Sequence, residues 1–123
     1  MSEGALLAAA GLAAAAVAKV ERRTAFMFLC EDDPERASVR ADAVARHLAY
    51  VEANFARYLV AGPVLTGPDG AMGKSLFIVT GADLDDAYAF MRGDPYVAEG
   101  LYRSITAHPF VPAAGAWIGG KIW

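Results

Sequence analysis

The chain has few side chains whose ordinary pKa lies near neutral pH, and they stand apart in sequence. It has two histidines, His47 and His108, and one cysteine, Cys30. His47 falls inside a helix-like segment, and Asp94 stands before Pro95 after a second such segment. A carboxylate beside an imidazole would orient the ring, fix its tautomer and stabilise its protonated form. On the residues alone, a partly buried packing histidine and a turn-building aspartate are the simpler interpretations.

The first helix must position His47. We expect this helix to run from Ser38, as its N-cap, to about Phe55. Its apolar residues recur at spacings of four, three and four and form one stripe, which predicts the buried face: Val44, Leu48, Val51 and Phe55. His47 lies roughly 70° from the centre of this stripe, at the boundary between core and solvent. Arg40 lies near the same edge, so the two side chains could share a ligand pocket.

The rest of the pattern predicts four strands and a second helix. Strands are expected at residues 25–30, 57–64, 75–80 and 101–108. Asp83 is expected to cap the second helix, which Gly93 ends. The order β-α-β-β-α-β is the ferredoxin-like arrangement of an α+β fold with a four-stranded antiparallel sheet. With both helices on one face, the other apolar face stays open, which favours a homodimer or higher homo-oligomer with paired sheets.

Composition limits the class of protein. A chain of 123 residues is one domain with little room for a second. The formal net charge of -3 provides no basic surface, so nucleic acid is not an expected partner. One cysteine excludes an internal disulfide and any paired-cysteine motif, and Cys30 is expected to be a buried, inert thiol. No metal and no cofactor are expected.

Residues 1–23 form an Ala-rich extension before the patterned part of the chain. Residues 4–18 are almost entirely alanine, leucine, glycine and valine, and residues 16–18 fit a signal-cleavage pattern. The segment before this run holds an acid and no lysine or arginine, and the run is short for a membrane span. We therefore expect an appended helix or a start assigned too far upstream, rather than a secretory signal at residues 1–18. The expected location is cytoplasmic, with no membrane partner.

Residues 67–75, GPDGAMGKS, look like a phosphate-binding loop but do not fit one. The spacing has one residue too many between Gly67 and Gly73. Lys74 and Ser75 lead into a strand-like segment, whereas a phosphate-binding loop must open a helix. The sequence predicts a hairpin loop here.

Three segments together resemble the YciI-like (YCII-related) family, which belongs to the dimeric α/β-barrel superfamily. They are RHLAYVEANF at 46–55, VAGPV at 60–64 and DPYVAEG at 94–100. The resemblance places a family domain at 24–123 and implies the same ferredoxin-like fold. The domain includes a tail after Phe110 with two tryptophans on a glycine-rich backbone. Such aromatics tend to be buried, and a partner subunit is the expected surface.

The resemblance also assigns site residues. His47 and Asp94 match the family's histidine and aspartate, which implies a catalytic dyad. The residues expected to bind substrate around this dyad are Arg40, Gly62, Pro63 and Tyr96. Some relatives carry an arginine where this chain has Val44, so Arg40 would supply the positive charge from one turn further back. An anionic substrate is an open alternative at this point.

For function, the resemblance implies acid/base chemistry on a small molecule without a cofactor. Removal of a proton next to a carbonyl or phenol-like group would lead to elimination or isomerisation. The family extends to dehydrochlorinase-type lyases acting on hydroxylated aromatic compounds. A domain that binds a small ligand without catalysis is the alternative, since one fold hosts many functions. Haem or oxygen chemistry, as in the wider superfamily, has only His47 and His108 as candidate ligands.

Overall fold

The computed structural model describes residues 17–123, which fall into two compact units. One unit holds residues 24–111, and the other joins the residues up to 23 with residues 112–123. Residues 1–16 lie outside the described residues, and they include most of the predicted Ala-rich extension and of its signal-like segment. Among the residues described, no helix is long and apolar enough to cross a membrane.

An antiparallel sheet of four strands forms the base of the larger unit. Its strands, in the spatial order β2-β3-β1-β4, are β1 (Ala25–Asp32), β2 (Tyr58–Leu65), β3 (Met72–Thr80) and β4 (Tyr102–Phe110). The continuous apolar run in β1 suits a central strand, and Phe28 pairs with Phe77 on one side and Ala107 on the other. Chain order and strand order confirm the predicted ferredoxin-like α+β fold.

Helix α1 (Ala37–Ala53) lies between β1 and β2 in the chain. A 3-10 turn, Pro34–Arg36, leads into it, and Asp33 caps that turn by accepting a hydrogen bond from the Glu35 N–H at 2.9 Å. The predicted N-cap at Ser38 is wrong, because the turn already carries the chain into helical conformation before that residue.

Two further helices precede β4, namely α2 (Leu84–Arg92) and α3 (Pro95–Ala98). Asp83 caps α2 as predicted, accepting a hydrogen bond from the Asp86 N–H at 2.8 Å. The short helix α3 was not predicted. Asp94 is its N-cap and a proline is its first residue, which is the usual order at a helix start.

The core lies between one face of the sheet and helix α2. Alternate residues of β1 and β3 point to that face. They pack with α2 in one buried cluster, which consists of Phe26, Phe28, Cys30, Phe77, Val79, Ala87, Phe90 and Met91. Full burial of Cys30 agrees with the prediction of a buried thiol. Each large apolar side chain buried in this way stabilises the fold by about 1.5–3 kcal/mol.

The apolar stripe of α1 does not enter this core. Val44 is 40% exposed, Leu48 53% and Phe55 73%, so the prediction that the stripe is the buried face is wrong. Ala43 is fully buried instead and clusters with Tyr96. An apolar stripe indicates only that a helix meets apolar surroundings, and for α1 those surroundings include an open cavity.

The sheet face opposite α2 carries a patch of half-buried apolar side chains. Met27 pairs with Ile78, and Leu29 pairs with Leu76. These residues alternate with the core residues of β1 and β3, so their side chains point away from α2. His108, on β4, pairs with Met27 of β1 and is exposed.

The glycine-rich segment between β2 and β3 is a hairpin loop, as predicted. The Thr66 N–H donates to the Ala71 carbonyl at 2.9 Å. Gly70 adopts a φ of 79°, a left-handed conformation that glycine tolerates without strain. Lys74 and Ser75 lie inside β3 and not at the start of a helix, so they offer no helix N-terminus to a phosphate.

The smaller unit contains a two-stranded sheet, formed by β5 (Ala114–Gly115) and β6 (Gly120–Lys121). Strand β6 also hydrogen-bonds the backbone of residues 18–20. Trp117 is 76% exposed and Trp123 66%. Within the part of the chain that the structure describes, the two tryptophans that were expected to be covered are therefore not buried.

Candidate functional site

A cavity of about 550 Å³ opens in the larger unit. Its volume lies within the range of small-molecule sites, about 300–1,000 Å³. Helix α1, strands β2 and β3 and helix α3 line it with Ala37, Arg40, Ala41, Val44, His47, Leu48, Val51, Ala61, Gly62, Pro63, Met72, Ser75, Phe77 and Tyr96. The polar side chains in this lining are those of Arg40, His47, Ser75 and Tyr96. The cavity is therefore mostly apolar, with few directional contacts for a ligand.

One wall of the cavity carries the His47–Asp94 pair. The Nδ1 atom of His47 lies 2.8 Å from each carboxylate oxygen of Asp94. The Asp94 side chain is fully buried, and the His47 side chain is 13% exposed. Because an ionised carboxylate only accepts hydrogen bonds, Nδ1 carries the proton. Within residues 17–123, both hydrogen bonds of the ring are made by Nδ1. Nε2 is therefore the ring nitrogen left for a ligand, and it is not buried without a partner.

The backbone around Asp94 fixes its carboxylate. The Asp94 N–H donates to the Met91 carbonyl at 3.0 Å, at the end of α2. Its Oδ1 atom accepts a hydrogen bond from the Tyr96 N–H at 2.9 Å, as the N-cap of α3. An aspartate N-cap typically contributes about 1 kcal/mol. The turn-building role and the imidazole contact thus belong to the same carboxylate.

Close packing between α1 and the end of α2 brings the two partners together. Tyr50, one turn after His47, donates from its hydroxyl to the Phe90 carbonyl at 2.6 Å. A Cβ atom on Gly93 would lie 3.0 Å from the Cζ atom of Tyr50, so a larger residue would push the helices apart. Burial and, after it, the charge of Asp94 raise the pKa of Tyr50.

Tyr96 joins the dyad to Arg40. Its ring stacks on the imidazole of His47, with the ring centroids 4.0 Å apart and the planes 13° from parallel. Its hydroxyl donates to the Arg40 carbonyl at 3.2 Å, and the guanidinium carbon lies 5.3 Å from its ring centroid. Burial raises the pKa of Tyr96, although the Arg40 charge opposes this effect. Tyr96 is therefore a neutral packing partner near neutral pH.

Arg40 forms a bidentate ion pair with Asp32. Its Nε and Nη2 atoms each lie 2.8 Å from an Asp32 oxygen, and Nη2 also donates to the Ser75 hydroxyl at 3.1 Å. The two charged side chains are only 18% and 14% exposed. The hydrogen bond to Asp32 raises the pKa of Arg40 despite partial burial. Among residues 17–123, Arg40 is the one lysine or arginine that lines the cavity, and a carboxylate is bound to it.

Gly62 and Pro63 line the cavity from β2. This strand lies at the edge of the sheet, where a proline without an N–H is tolerated. Pro63 pairs with Ser75, which itself lines the cavity. A Cβ atom on Gly62 would meet no atom within 4 Å, so no described neighbour requires a glycine there.

A model of the YCII-related domain matches residues 24–111, which are the residues of the larger compact unit. The chain belongs to the YCII-related domain family. Comparison with the curated proteins gives no match. Among solved structures, it is similar to the 5-chloro-2-hydroxyhydroquinone dehydrochlorinase of Burkholderia phenoliruptrix AC1100 in complex with 2,5-dihydroxybenzoquinone. The two chains are 29% identical with a TM-score of 0.66, and the match covers 75% of this chain and 96% of that one.

This YCII-related domain brings the predicted site residues together. The residues of that prediction that line the cavity are Arg40, His47, Gly62, Pro63 and Tyr96. Asp94 lies directly behind the imidazole. His108 does not line the cavity. The catalytic and substrate-binding roles of these residues stay predictions.

Two polar residues at the site were missed. Ser75 is buried in β3, on the same sheet face as the core residues Phe77 and Val79. A polar residue in an alternating apolar pattern is a signal that could have identified it. Asp32, at the end of β1, gave no such signal, because its contact with Arg40 depends on how the 3-10 turn places α1.

The thiol of Cys30 is unsuited to act as a nucleophile in catalysis. Burial, followed by the charges of Asp94 and Asp32, raises the pKa of Cys30 to about 12, so its thiolate is not available near neutral pH. Within residues 17–123, no group of three or more histidine, cysteine, aspartate or glutamate side chains could hold a metal ion.

Proposed function

We propose that this YCII-related protein is a small-molecule enzyme, a lyase or an isomerase, in which His47 transfers protons and Asp94 orients it. The observation that carries this proposal is the arrangement of the His47 imidazole. A fully buried carboxylate holds Nδ1, while Nε2 makes no hydrogen bond within residues 17–123 and belongs to a ring that lines the cavity. A general acid/base needs this asymmetry, since one ring nitrogen is fixed and the other exchanges the proton.

We infer that the substrate is a hydroxylated aromatic ring. The lining is mostly apolar and includes the rings of Phe77 and Tyr96, which suit a flat ligand. The few polar side chains would meet hydroxyl groups at the edge of the ring. The similar dehydrochlorinase supports the same class, since its name specifies a chlorinated hydroxyhydroquinone.

Loss of chloride from such a ring needs proton transfers but no external oxidant. One hydroxyl loses its proton while the carbon that bears chlorine gains one, which gives a ketone with a tetrahedral carbon. The second hydroxyl then loses its proton, and its electrons expel chloride to form a quinone. Nε2 of His47 accepts and delivers these protons, and Asp94 stabilises the imidazolium between the two steps. Hydrogen chloride is the net loss.

Turnover of chlorinated hydroquinones tests this proposal, measured as chloride release and quinone absorbance. We expect His47→Gln to lower kcat/KM by about 10²- to 10⁴-fold, the usual contribution of general acid/base catalysis. Asp94→Asn should also lower it, because an amide no longer enforces a proton on Nδ1. Nitrogen-15 NMR of the imidazole would report this change of tautomer. His108→Gln is the matched control, since His108 does not line the cavity; the oligomeric state of this variant is measured as well, because His108 pairs with Met27 of the outer sheet face.

Two results would change the proposal. Undiminished chloride release by a folded His47→Gln variant would remove His47 from the mechanism. Binding of 2,5-dihydroxybenzoquinone by a wild-type protein that releases chloride from no chlorinated hydroquinone would favour the alternative function, which is ligand binding without catalysis.

We also propose that the protein forms a homodimer through the outer sheet face. Met27, Leu29, Leu76 and Ile78 form a continuous apolar patch there, and a second copy would remove it from water. Ile78→Glu should convert the dimer to a monomer that keeps its circular dichroism, as measured by light scattering during gel filtration. Ala45→Glu adds the same charge on exposed α1 surface and should leave the mass unchanged. A monomeric wild type would contradict this proposal.

A further inference from the structure

Two buried hydroxyls of the larger unit have no hydrogen-bond partner within residues 17–123. They belong to Tyr58 and Tyr102. Folding deprives such a group of its hydrogen bonds to water and gives nothing in return, which destabilises the folded state. Native proteins hold few groups of this kind, and a role in binding or catalysis is one physical reason to keep one.

Tyr102 lies beside the contact between Arg40 and Ser75. It pairs with Asp32 across β1 and β4, and the Asp32 carboxylate binds Arg40. Its ring meets the Tyr96 ring edge to face, with the centroids 6.3 Å apart. Burial raises the pKa of Tyr102, and the neighbouring Ser75 hydroxyl opposes this rise. Near neutral pH, the Tyr102 hydroxyl is therefore a protonated donor close to Ser75.

The hydrogen bonds of Ser75 can be counted. Its hydroxyl can accept two hydrogen bonds and donate one. It accepts one from Arg40 Nη2 at 3.1 Å and donates none to a side chain or backbone carbonyl of the described residues. If Ser75 donated to Tyr102, the tyrosine proton would still lack an acceptor. If Tyr102 donates to Ser75, both accepting positions of Ser75 are filled and its own proton is free for a third group.

A ligand oxygen is the third group that this arrangement fits, because Ser75 lines the cavity. A hydrogen bond that is long or poorly aligned in the free protein often tightens when the ligand binds. Tightening of the contact between Tyr102 and Ser75 would give the buried tyrosine hydroxyl its missing partner. Ligand binding and the satisfaction of Tyr102 would then occur together.

We propose that Ser75 binds the ligand by donating a hydrogen bond to one of its oxygens, and that Tyr102 is a positioning residue that directs the serine proton into the cavity. The inference rests on the proposed function and deepens it, because it assigns one wall of the site to an oxygen that accepts hydrogen bonds. Arg40, on the same wall, also has only donors. A quinone carbonyl or an ionised ring hydroxyl fits such a wall. In the proposed reaction, these donors stabilise the oxygen that becomes negative as its proton leaves.

Binding of 2,5-dihydroxybenzoquinone, measured by isothermal titration calorimetry, tests this inference without turnover. The hydroxyls of this ligand are vinylogous acids that are ionised near neutral pH, so its oxygens are strong acceptors. We expect Ser75→Ala to raise Kd by about tenfold to a hundredfold, the range for a hydrogen bond to a charged group. Tyr102→Phe should raise Kd by about threefold to tenfold.

Tyr58→Phe is the matched control. It removes the other buried hydroxyl without a partner in the described part of the chain, and Tyr58 does not line the cavity. Its Kd should equal that of the wild type.

A double variant separates positioning from packing. If Tyr102 acts through Ser75, Tyr102→Phe should have no further effect on Kd once Ser75 is replaced by alanine, whereas independent effects would multiply. Stability gives a second readout. Because the Tyr102 hydroxyl has no partner among the residues described, Tyr102→Phe should leave the urea midpoint unchanged or raise it. A residue that only packs would not weaken binding at undiminished stability.

Four results would overturn the inference. They are an unchanged Kd in a folded Ser75→Ala variant, multiplied effects in the double variant, a Tyr58→Phe effect as large as that of Tyr102→Phe, and no binding of the quinone by the wild type. A lower urea midpoint for Tyr102→Phe would remove the positioning role, since the hydroxyl would already have a partner. Failure of the proposed catalysis is distinguishable, because a wild type that releases no chloride can still bind the quinone and show these ratios.

Discussion

Helix α1 buries one residue, Ala43, and leaves Val44 and Leu48 of its apolar stripe exposed, in contrast to α2. On α1, Ala43 and Tyr50 pack against the buried clusters, while Val44, His47 and Leu48 line the open cavity. On α2, the apolar residues pack into the core, as the usual amphipathic rule expects. The difference teaches that a cavity wall and a core wall have the same sequence pattern. Only the neighbouring polar residues distinguish them.

The small size of Ala43 is central to this arrangement. Ala43 clusters with Tyr96 and Leu101 at the base of α3. Tyr96 in turn stacks on His47. The separation between α1 and α3 therefore controls whether the imidazole reaches Asp94.

Of the substitutions that test this difference between α1 and α2, Ala43→Leu is expected to have the largest effect. The residue is fully buried, so the added carbons would displace Tyr96 and α3. Overpacking of this kind costs about 1–3 kcal/mol in the free energy of unfolding. Displacement of Tyr96 should also loosen the His47–Asp94 contact and lower turnover. Urea unfolding and the chloride assay measure the two effects separately.

Matched changes on the other side of α1 serve as controls. Ala45→Leu makes the same substitution at an exposed position and should change stability by no more than about 0.5 kcal/mol. Leu48→Ala removes a side chain that is half exposed at the cavity, so it should weaken ligand binding more than folding. Equal unfolding midpoints for Ala43→Leu and Ala45→Leu would show that the buried face of α1 is not closely packed.

Much of the fold could be predicted because local patterns describe the backbone directly. The apolar run of β1, the Asp83 cap and the alternation of strands and helices give the ferredoxin-like order that the structure confirms. The Ser38 cap failed because the chain already enters helical conformation upstream, in a 3-10 turn that Asp33 caps. Asp33 is followed by a proline, which favours a helical start there.

The site residues could be predicted, but their geometry could not. The family resemblance indicated His47 and Asp94, and the structure places them within hydrogen-bond distance. The helical wheel placed His47 at the rim of the core because it assigned the stripe around Val44 to the interior. The Arg40–Asp32 pair depends on the path from β1 into α1, which residue types alone do not determine.

Tyr50→Phe tests the packing of the buried side of α1, and of the proposed substitutions on that side it is expected to change the free energy of unfolding least. The variant loses the hydrogen bond to the Phe90 carbonyl, which should cost about 0.5–1.5 kcal/mol at neutral pH. Tyr88→Phe is the control at that pH, since the hydroxyl of Tyr88 makes no hydrogen bond among the described side chains and backbone carbonyls.

The pH dependence of this effect has a definite sign. Burial raises the pKa of Tyr50 above its ordinary value of 10.0 in the folded protein, so the unfolded chain loses the phenol proton first. The contribution of Tyr50 to stability is then fully present below pH 10 and is lost as the pH rises through the folded-state pKa. Urea unfolding at neutral and alkaline pH should therefore show the difference between wild type and Tyr50→Phe shrinking as the pH rises. A difference that stays constant would mean that the hydroxyl is not held in a buried contact, and that α1 lies further from α2 than the Gly93 contact requires.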